Sequence, residues 1–209
     1  MPFICPKCRQ PLFADGGSLK CGLNHTYDIS RRGYVNLLLS QESSEKRHGD
    51  SREMIAARTR FLDSGAYAPL CDAVCDAAER HASRNMTLLD IGCGECYYTS
   101  RIADRIAHFD PTVSGIDISR DALIAGHRRL TADLAVASAY DLPIADSSVD
   151  VAVNIFAPYD PSELRRVIKR HYGMILLYKL MGASEYIPQK YAPHEWQKEF
   201  PQHFFHPPQ

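Results

Sequence analysis

From residue 85 onward, short apolar runs alternate with amphipathic stretches. "MTLLDIG", "TVSGIDIS", "DLAVAS", "VDVAVNIFA" and "GMILLY" have strand length and aliphatic or β-branched character. "YYTSRIADRIAHF", "RDALIAGHRRL" and "PSELRRVIK" place apolar residues at helical spacing. Strands that are apolar throughout are covered on both faces, and their alternation with helices builds βαβ units around a parallel sheet. Upstream the rhythm differs. Residues 1–36 are short pieces separated by turn residues, in which "PLF", "SLK" and "TYDI" can be only brief strands. A polar stretch follows at 41–51. A helix is predicted from Ser51, with good helix formers from Glu53 to Phe61, and "DSGAY" ends it at 63–67. A second, at about 68–81, carries Leu70, Val74, Ala77 and Ala78 on one face. After about Lys179 no periodicity continues. The pattern thus divides the chain into 1–36, a helical connection 37–84, an α/β domain 85–179 and an atypical tail 180–209.

Composition changes this picture little. Hydrophobic residues make up 45% and charged residues 23%, which is ordinary for a soluble globular protein, and no run approaches a membrane span. The N-terminus has no basic-then-apolar leader pattern, so a cytoplasmic location is expected, where seven cysteines serve as ligands, core residues or free thiols. Charge is asymmetric. Residues 1–60 hold ten Lys/Arg against six Asp/Glu, and the remainder fourteen against nineteen. A basic front on an acidic body fits a front end that touches phosphate, though it is also compatible with ordinary solvated surface.

The front end contains Cys5, Cys8, Cys21 and His25 in a C-x2-C-x12-C-x3-H pattern. Three thiolates and one imidazole suit tetrahedral zinc with no open position, so the expected site is structural. A segment too small for its own core needs such a staple. Cys71 and Cys75 lie four apart on a predicted helix and are expected to pack as small hydrophobes.

The second constellation is "LLDIGCGECYY" at 88–98, a strand, a glycine turn and a helix start. Gly92 and Gly94 allow close approach of the backbone to a ligand. Asp117 ends the next predicted strand, where a carboxylate can accept from both hydroxyls of a ribose. Glu95 at the helix start would repel a pyrophosphate, so a ligand with a cationic sulfonium and an ammonium fits better than a dinucleotide.

"DIGCGE" followed by "GID" resembles motif I and the next acidic position of class I S-adenosylmethionine (SAM) methyltransferases. That resemblance implies a Rossmann-like sheet, with Asp90, Gly92, Cys93 and Gly94 around the methionine part and Asp117 on the ribose. Two positions depart from it. Cys96 stands where a third glycine is usual, implying mild strain. Ser138 in "SAYDLP" replaces an acid that would hold the adenine amino group.

The order of the Cys3His pattern, "GYVNLL", "DSREMIAARTRFLDSGAYAPL", "LLDIGCGECYY" and "NIFAP" is similar to the RlmA-type 23S ribosomal RNA guanine-N1 methyltransferases, over about residues 3–169. The resemblance implies zinc on Cys5, Cys8, Cys21 and His25, a zinc-ribbon-like module gripping an RNA hairpin, and Tyr67 beside the cofactor. Arg31, Arg32, Lys46, Arg47, Arg52, Arg58 and Arg60 are candidates for phosphate contact. Asn154, with the backbone at Ala157–Pro158, is the candidate for the guanine edge, and a purely strand-capping role fits it equally. The expected partner is 23S ribosomal RNA, with no membrane, and a homodimer is compatible.

Beyond "ELRRVIK" the resemblance stops. Relatives continue with a Pro-Gly-Gly turn and two further strands, whereas this chain reads "RHYGMILLYKLMGASEY" and ends at Gln209. The methyltransferase sheet is therefore expected to be incomplete at its C-terminal side, through a shifted reading frame or a truncation. Two alternatives accompany the RNA reading: a small-molecule enzyme of the quinone type, and a catalytically impaired RNA-binding remnant.

Overall fold

The computed structural model describes residues 3–39, 49–170 and 173–178. The stretch 1–178 is one compact unit and 179–209 a second, and the second lies outside the described residues together with Lys46 and Arg47.

Among the described residues there are two sheets. The first is a three-stranded antiparallel ribbon of β1 (Phe13–Asp15), β2 (Ser18–Lys20) and β3 (Thr26–Asp28). Its first strand is "FAD" rather than the expected "PLF", because Pro11 pairs back to Ile4 as an isolated bridge ahead of the hairpin. The second is a six-stranded sheet that uses β4 (Val35–Asn36), β5 (Thr87–Ile91), β6 (Thr112–Asp117), β7 (Asp133–Val136), β8 (Val151–Ile155) and β9 (Met174–Tyr178). Its order is β4-β7-β6-β5-β8-β9, and every pairing is parallel. Strand β9 forms one edge among the described residues. The other edge is β4, contributed by "GYVNLL" from the front of the chain and paired through Val35 with Ala135.

Helices cover both faces, as parallel strands require. They are α1 (Arg52–Asp63), α2 (Ala68–Arg80), α3 (Tyr97–Ile106), α4 (Arg120–Gly126) and α5 (Pro161–Val167). The hydroxyl of Ser51 caps α1 by accepting from the Met54 N–H, and Ser119 caps α4 through Ala122. Asp160 caps α5, with Pro161 in the first turn where a missing N–H is harmless.

Alternation along the strands sends side chains into two cores. Leu88, Val151 and Val153 meet Val74, Ala78, Ile102 and Ile106 of α2 and α3. Cys71 and Cys75 are buried in that same cluster as apolar fillers. On the opposite face Leu89, Ile91, Ile116 and Ala152 meet Leu164 and Val167 of α5, and with them Phe3, Leu12 and Leu19 of the ribbon. Burying three such side chains contributes roughly 5–9 kcal/mol by area. The ribbon is thus held by the sheet's own core as well as by its ligands.

Candidate cofactor and metal sites

The ribbon folds its ligands onto two similar knuckles. After Cys5 the chain turns so that the Arg9 N–H donates to the Cys5 carbonyl at 2.8 Å, with Arg9 at a φ of 60°. After Cys21 the Asn24 N–H donates to the Cys21 carbonyl at 2.9 Å, with Asn24 at a φ of 64°. The ligand atoms of Cys5, Cys8, Cys21 and His25 all lie within 4.8 Å of one another. The Nδ1 of His25 is 3.4 Å from both Cys5 Sγ and Cys21 Sγ, and Cys8 Sγ is 3.6 Å from Cys21 Sγ. Zinc bonds of about 2.1–2.3 Å in a tetrahedron demand edges of roughly 3.5–3.8 Å, so the donor set fits that ion. The Tyr27 hydroxyl lies 3.1 Å from Cys5 Sγ. Burial opposes ionisation of Cys5, but this hydroxyl and the N–H groups of the knuckle outweigh it and bring the thiol down to about 6. A thiol poised as thiolate is what a metal ligand requires.

The ribbon is also tied to the loop after β7. Arg9 donates to the Leu142 carbonyl at 3.1 Å and pairs with Asp141, and the Ile4 N–H donates to the Pro143 carbonyl at 2.8 Å. From the other side, Arg166 of α5 donates to the carbonyls of Leu142 and Ile144, and Glu163 accepts from the Leu142 N–H. The "DLPI" segment is therefore clamped between the first knuckle and α5. The hydroxyl of Ser138, just ahead of it, accepts from the Tyr140 N–H at 3.2 Å.

The glycine turn lies at the carboxyl ends of β5 and β6. Gly92 (φ 77°) and Gly94 (φ 54°) are both left-handed. A Cβ on Gly92 would fall 2.2 Å from the Cβ of Ala157, so this glycine is demanded by contact as well as by conformation. Cys96, where a third glycine is usual, is itself left-handed at a φ of 57°, which locates the expected strain. Its side chain is fully buried with Cys93, Leu123, Leu134 and Val136.

Four acids surround the turn. Asp90 is buried on β5 and accepts from the Thr99 hydroxyl at 2.5 Å. Burial pushes its carboxyl up to about 7, Thr99 opposes the shift, and the neighbouring Asp117 adds to it. Asp117 accepts from the Gly94 N–H at 2.8 Å and the Ser119 N–H at 2.7 Å. Burial raises Asp117 as well, against those two N–H groups. Glu95 is 2% exposed, and its Oε2 accepts from Arg58 at 2.8 Å while Oε1 is buried without a partner among the described residues. Asp50 pairs with the same guanidinium. Arg58, expected from its charge to meet phosphate, is instead a half-buried bridge from α1 to the glycine turn, because the fold brings α1 over that turn. Arg52, another such candidate, is exposed but pairs with Asp121 at 3.1 Å. Arg31, Arg32 and Arg60 are exposed.

Tyr67 stands at the start of α2 and packs edge-on against Phe61 and Phe156, with ring centroids 5.5 and 5.9 Å away. Phe156 follows β8 with a φ of 59°, which is unusual for an aromatic residue, and keeps its ring 38% exposed. Beneath it Asn154 is fully buried. Its Nδ2 donates to the Ile91 carbonyl at 2.8 Å, and its Oδ1 is buried without a partner among the described residues. The fold therefore brings Tyr67, Asp90, Gly92, Cys93, Gly94, Asp117 and Asn154 to the end of the sheet where β5, β6 and β8 terminate.

A parallel sheet with this strand order, a left-handed glycine turn after β5 and an acid at the end of β6 define a class I methyltransferase fold, here preceded by a zinc ribbon. A Methanococcus maripaludis protein ascribed SAM-dependent methyl transfer shares that fold. Its TM-score is 0.52 at 17% identity, over 63% of this chain and 66% of that one. Residues 3–46 match the family model described as RlmA, N-terminal, and residues 88–175 match a methyltransferase domain. A Streptomyces fradiae protein named 23S rRNA (guanine(748)-N(1))-methyltransferase is 36% identical over 169 residues, covering 79% of this chain and 59% of that protein. A Micromonospora griseorubida protein ascribed 23S rRNA guanine-N1 methylation is also 36% identical, over 83% of this chain and 64% of its own. The chain thus carries an RlmA-type zinc ribbon and a methyltransferase domain, and over most of its length it is similar to 23S rRNA guanine-N1-methyltransferases. It spans about three fifths of the length of these curated relatives.

Proposed function

We propose that the protein transfers a methyl group from SAM to N1 of a guanine in 23S ribosomal RNA, in the cytoplasm, with a structural zinc in its ribbon. The observation that carries this reading is the junction of two sites in one compact unit: a preformed Cys3His donor cluster and an acid-rich glycine turn. Asp50, Asp90, Glu95 and Asp117 against Arg58 make the turn a poor host for a pyrophosphate and a good one for a ligand that is cationic overall.

When bound, the cofactor supplies an electrophilic methyl on a sulfonium. Asp90, Gly92, Cys93 and Gly94 would line its methionine part, and Asp117 has lone pairs left for the ribose hydroxyls. Tyr67 would close the side beside α2. Methyl transfer needs chiefly alignment of N1 with the sulfur–carbon bond. The guanine must be turned out of its stack to reach the carboxyl ends of the strands, where Phe156 and the Oδ1 of Asn154 would meet it. As the N1–methyl bond formed, the sulfur–methyl bond would break to leave a neutral thioether, and the N1 proton would pass to water at that site. Arg31 and Arg32, between the ribbon and β4, would grip phosphates and bring the hairpin to that site.

The test is methyl uptake from labelled SAM. Uptake into unmodified 23S rRNA at a single guanine N1, and none into quinone-type acceptors, is the expected result. Absence of SAM binding at high micromolar concentration would refute the cofactor reading. Uptake into small acceptors alone would refute the RNA reading.

A further inference from the structure

Arg58 is placed where neither a structural tie nor a phosphate grip explains it fully. Its Nη2 lies 3.1 Å from the point a Cβ on Gly94 would occupy, so the guanidinium rests directly on the glycine turn. Both Nε and Nη2 reach Glu95 Oε2, each at 2.8 Å, and Nη1 reaches Asp50. A guanidinium offers five N–H donors in a fixed fork. Three are engaged by these contacts, and one on each terminal nitrogen is left. Glu95 itself is 2% exposed, with one oxygen buried and lacking a donor among the described residues. A buried carboxylate oxygen without a partner is costly, and the turn is therefore short of one donor.

We propose that Arg58, held in place by Asp50 and Glu95, receives the carboxylate of the cofactor's amino-acid end, and that the open oxygen of Glu95 accepts from its ammonium. The ligand class is an α-amino-acid zwitterion. This inference rests on the cofactor reading above and adds a residue from α1, ahead of the methyltransferase sheet. The electrostatics require such a residue. Four acids crowd this turn, and a ligand carboxylate entering among them needs an opposing cation. Arg58 supplies it in the planar, bidentate form that carboxylates prefer. Asp50 and Glu95 limit the rotamers of a long side chain, so little entropy is lost when the ligand arrives.

Two ligands that differ only at this end test the proposal. S-adenosylhomocysteine carries the amino-acid group, and 5′-methylthioadenosine lacks it. Calorimetric titration of the full zinc-loaded chain is expected to show Arg58→Ala weakening S-adenosylhomocysteine at least tenfold. Methylthioadenosine binding should change less than twofold. Arg58→Lys, which keeps charge but loses the fork, should recover only part of the loss. Because Arg58→Ala leaves Glu95 buried and unpaired, the double variant Arg58→Ala/Glu95→Gln serves if the single variant unfolds, and should discriminate between the ligands in the same way. Equal weakening of both ligands, or of neither, would overturn the assignment and leave the cofactor reading intact. Failure of the unmutated protein to bind either ligand would overturn both.

Discussion

Asp90 offers a sharp test of the site, because the group that serves the cofactor should weaken the empty fold. Its carboxyl is wholly buried and titrates at about 7 instead of 3.8. The sign follows from linkage. A raised value means that the folded protein keeps its proton over a range where the unfolded chain has lost it. The contribution of Asp90 to stability is therefore fully present below about pH 4 and is lost as pH rises through 7. Moving the titration this far corresponds to about 4 kcal/mol in all, of which about 2–3 kcal/mol falls between pH 5 and pH 8. Asp90→Asn removes the titration but keeps an oxygen for the Thr99 hydroxyl. The variant should thus gain on the unmutated protein as pH rises, by about 2–3 kcal/mol from pH 5 to pH 8. The assay is urea unfolding of both zinc-loaded proteins at pH 5, 6, 7 and 8. Comparing the two cancels the pH dependence of the ribbon. The same variant should lose SAM binding, since a carboxylate facing a cation is gone. A stability difference that stays level across that range would falsify the argument that Asp90 is held against its own ionisation.

Three further outcomes follow from the geometry. Gly92→Ala combines a left-handed φ with a Cβ only 2.2 Å from Ala157, so it should cost roughly 2–5 kcal/mol in denaturant unfolding and abolish cofactor binding; a loss below 1 kcal/mol would contradict the close approach. Cys96→Gly relieves about 1–2 kcal/mol of backbone strain but gives up a small buried side chain of similar worth, so its net effect should stay within about 1 kcal/mol, and a loss above 2 kcal/mol would show that the strain is absent. Cys8→Ala should lower zinc content from one per chain to less than a tenth by elemental analysis and abolish RNA binding; full RNA affinity without zinc would remove the gripping role from the ribbon.

Much of the site could be read in advance because its parts are contiguous. Cys5–Cys8 and Cys21–His25 are each a single turn, and Asp90 to Gly94 is one strand end and one turn. Local geometry fixes what such residues can hold, so spacing alone carries the chemistry. Cys96 shows the same logic in reverse: its left-handed φ sits where the pattern lacked a glycine. Arg58 could not be read this way. Gly94 lies 36 positions further along the chain, and a basic residue on an exposed-looking helix has no local mark that distinguishes a phosphate contact from a buried bridge. The tail after Lys179 and the expected loss of the sheet's last strands lie outside the described residues.

The sequence by itself determined the element types, the parallel sheet and the two donor sets, since each follows from short-range spacing and from which side chains can be buried. Tertiary structure alone decided how the front joins the back. Phe3, Leu12 and Leu19 leave a ribbon too small to cover them and enter the sheet's core, "GYVNLL" becomes an edge strand, and α1 carries Arg58 onto the glycine turn. Apolar burial and charge pairing act between whichever surfaces come together, and no local pattern in the chain specifies which surfaces those are.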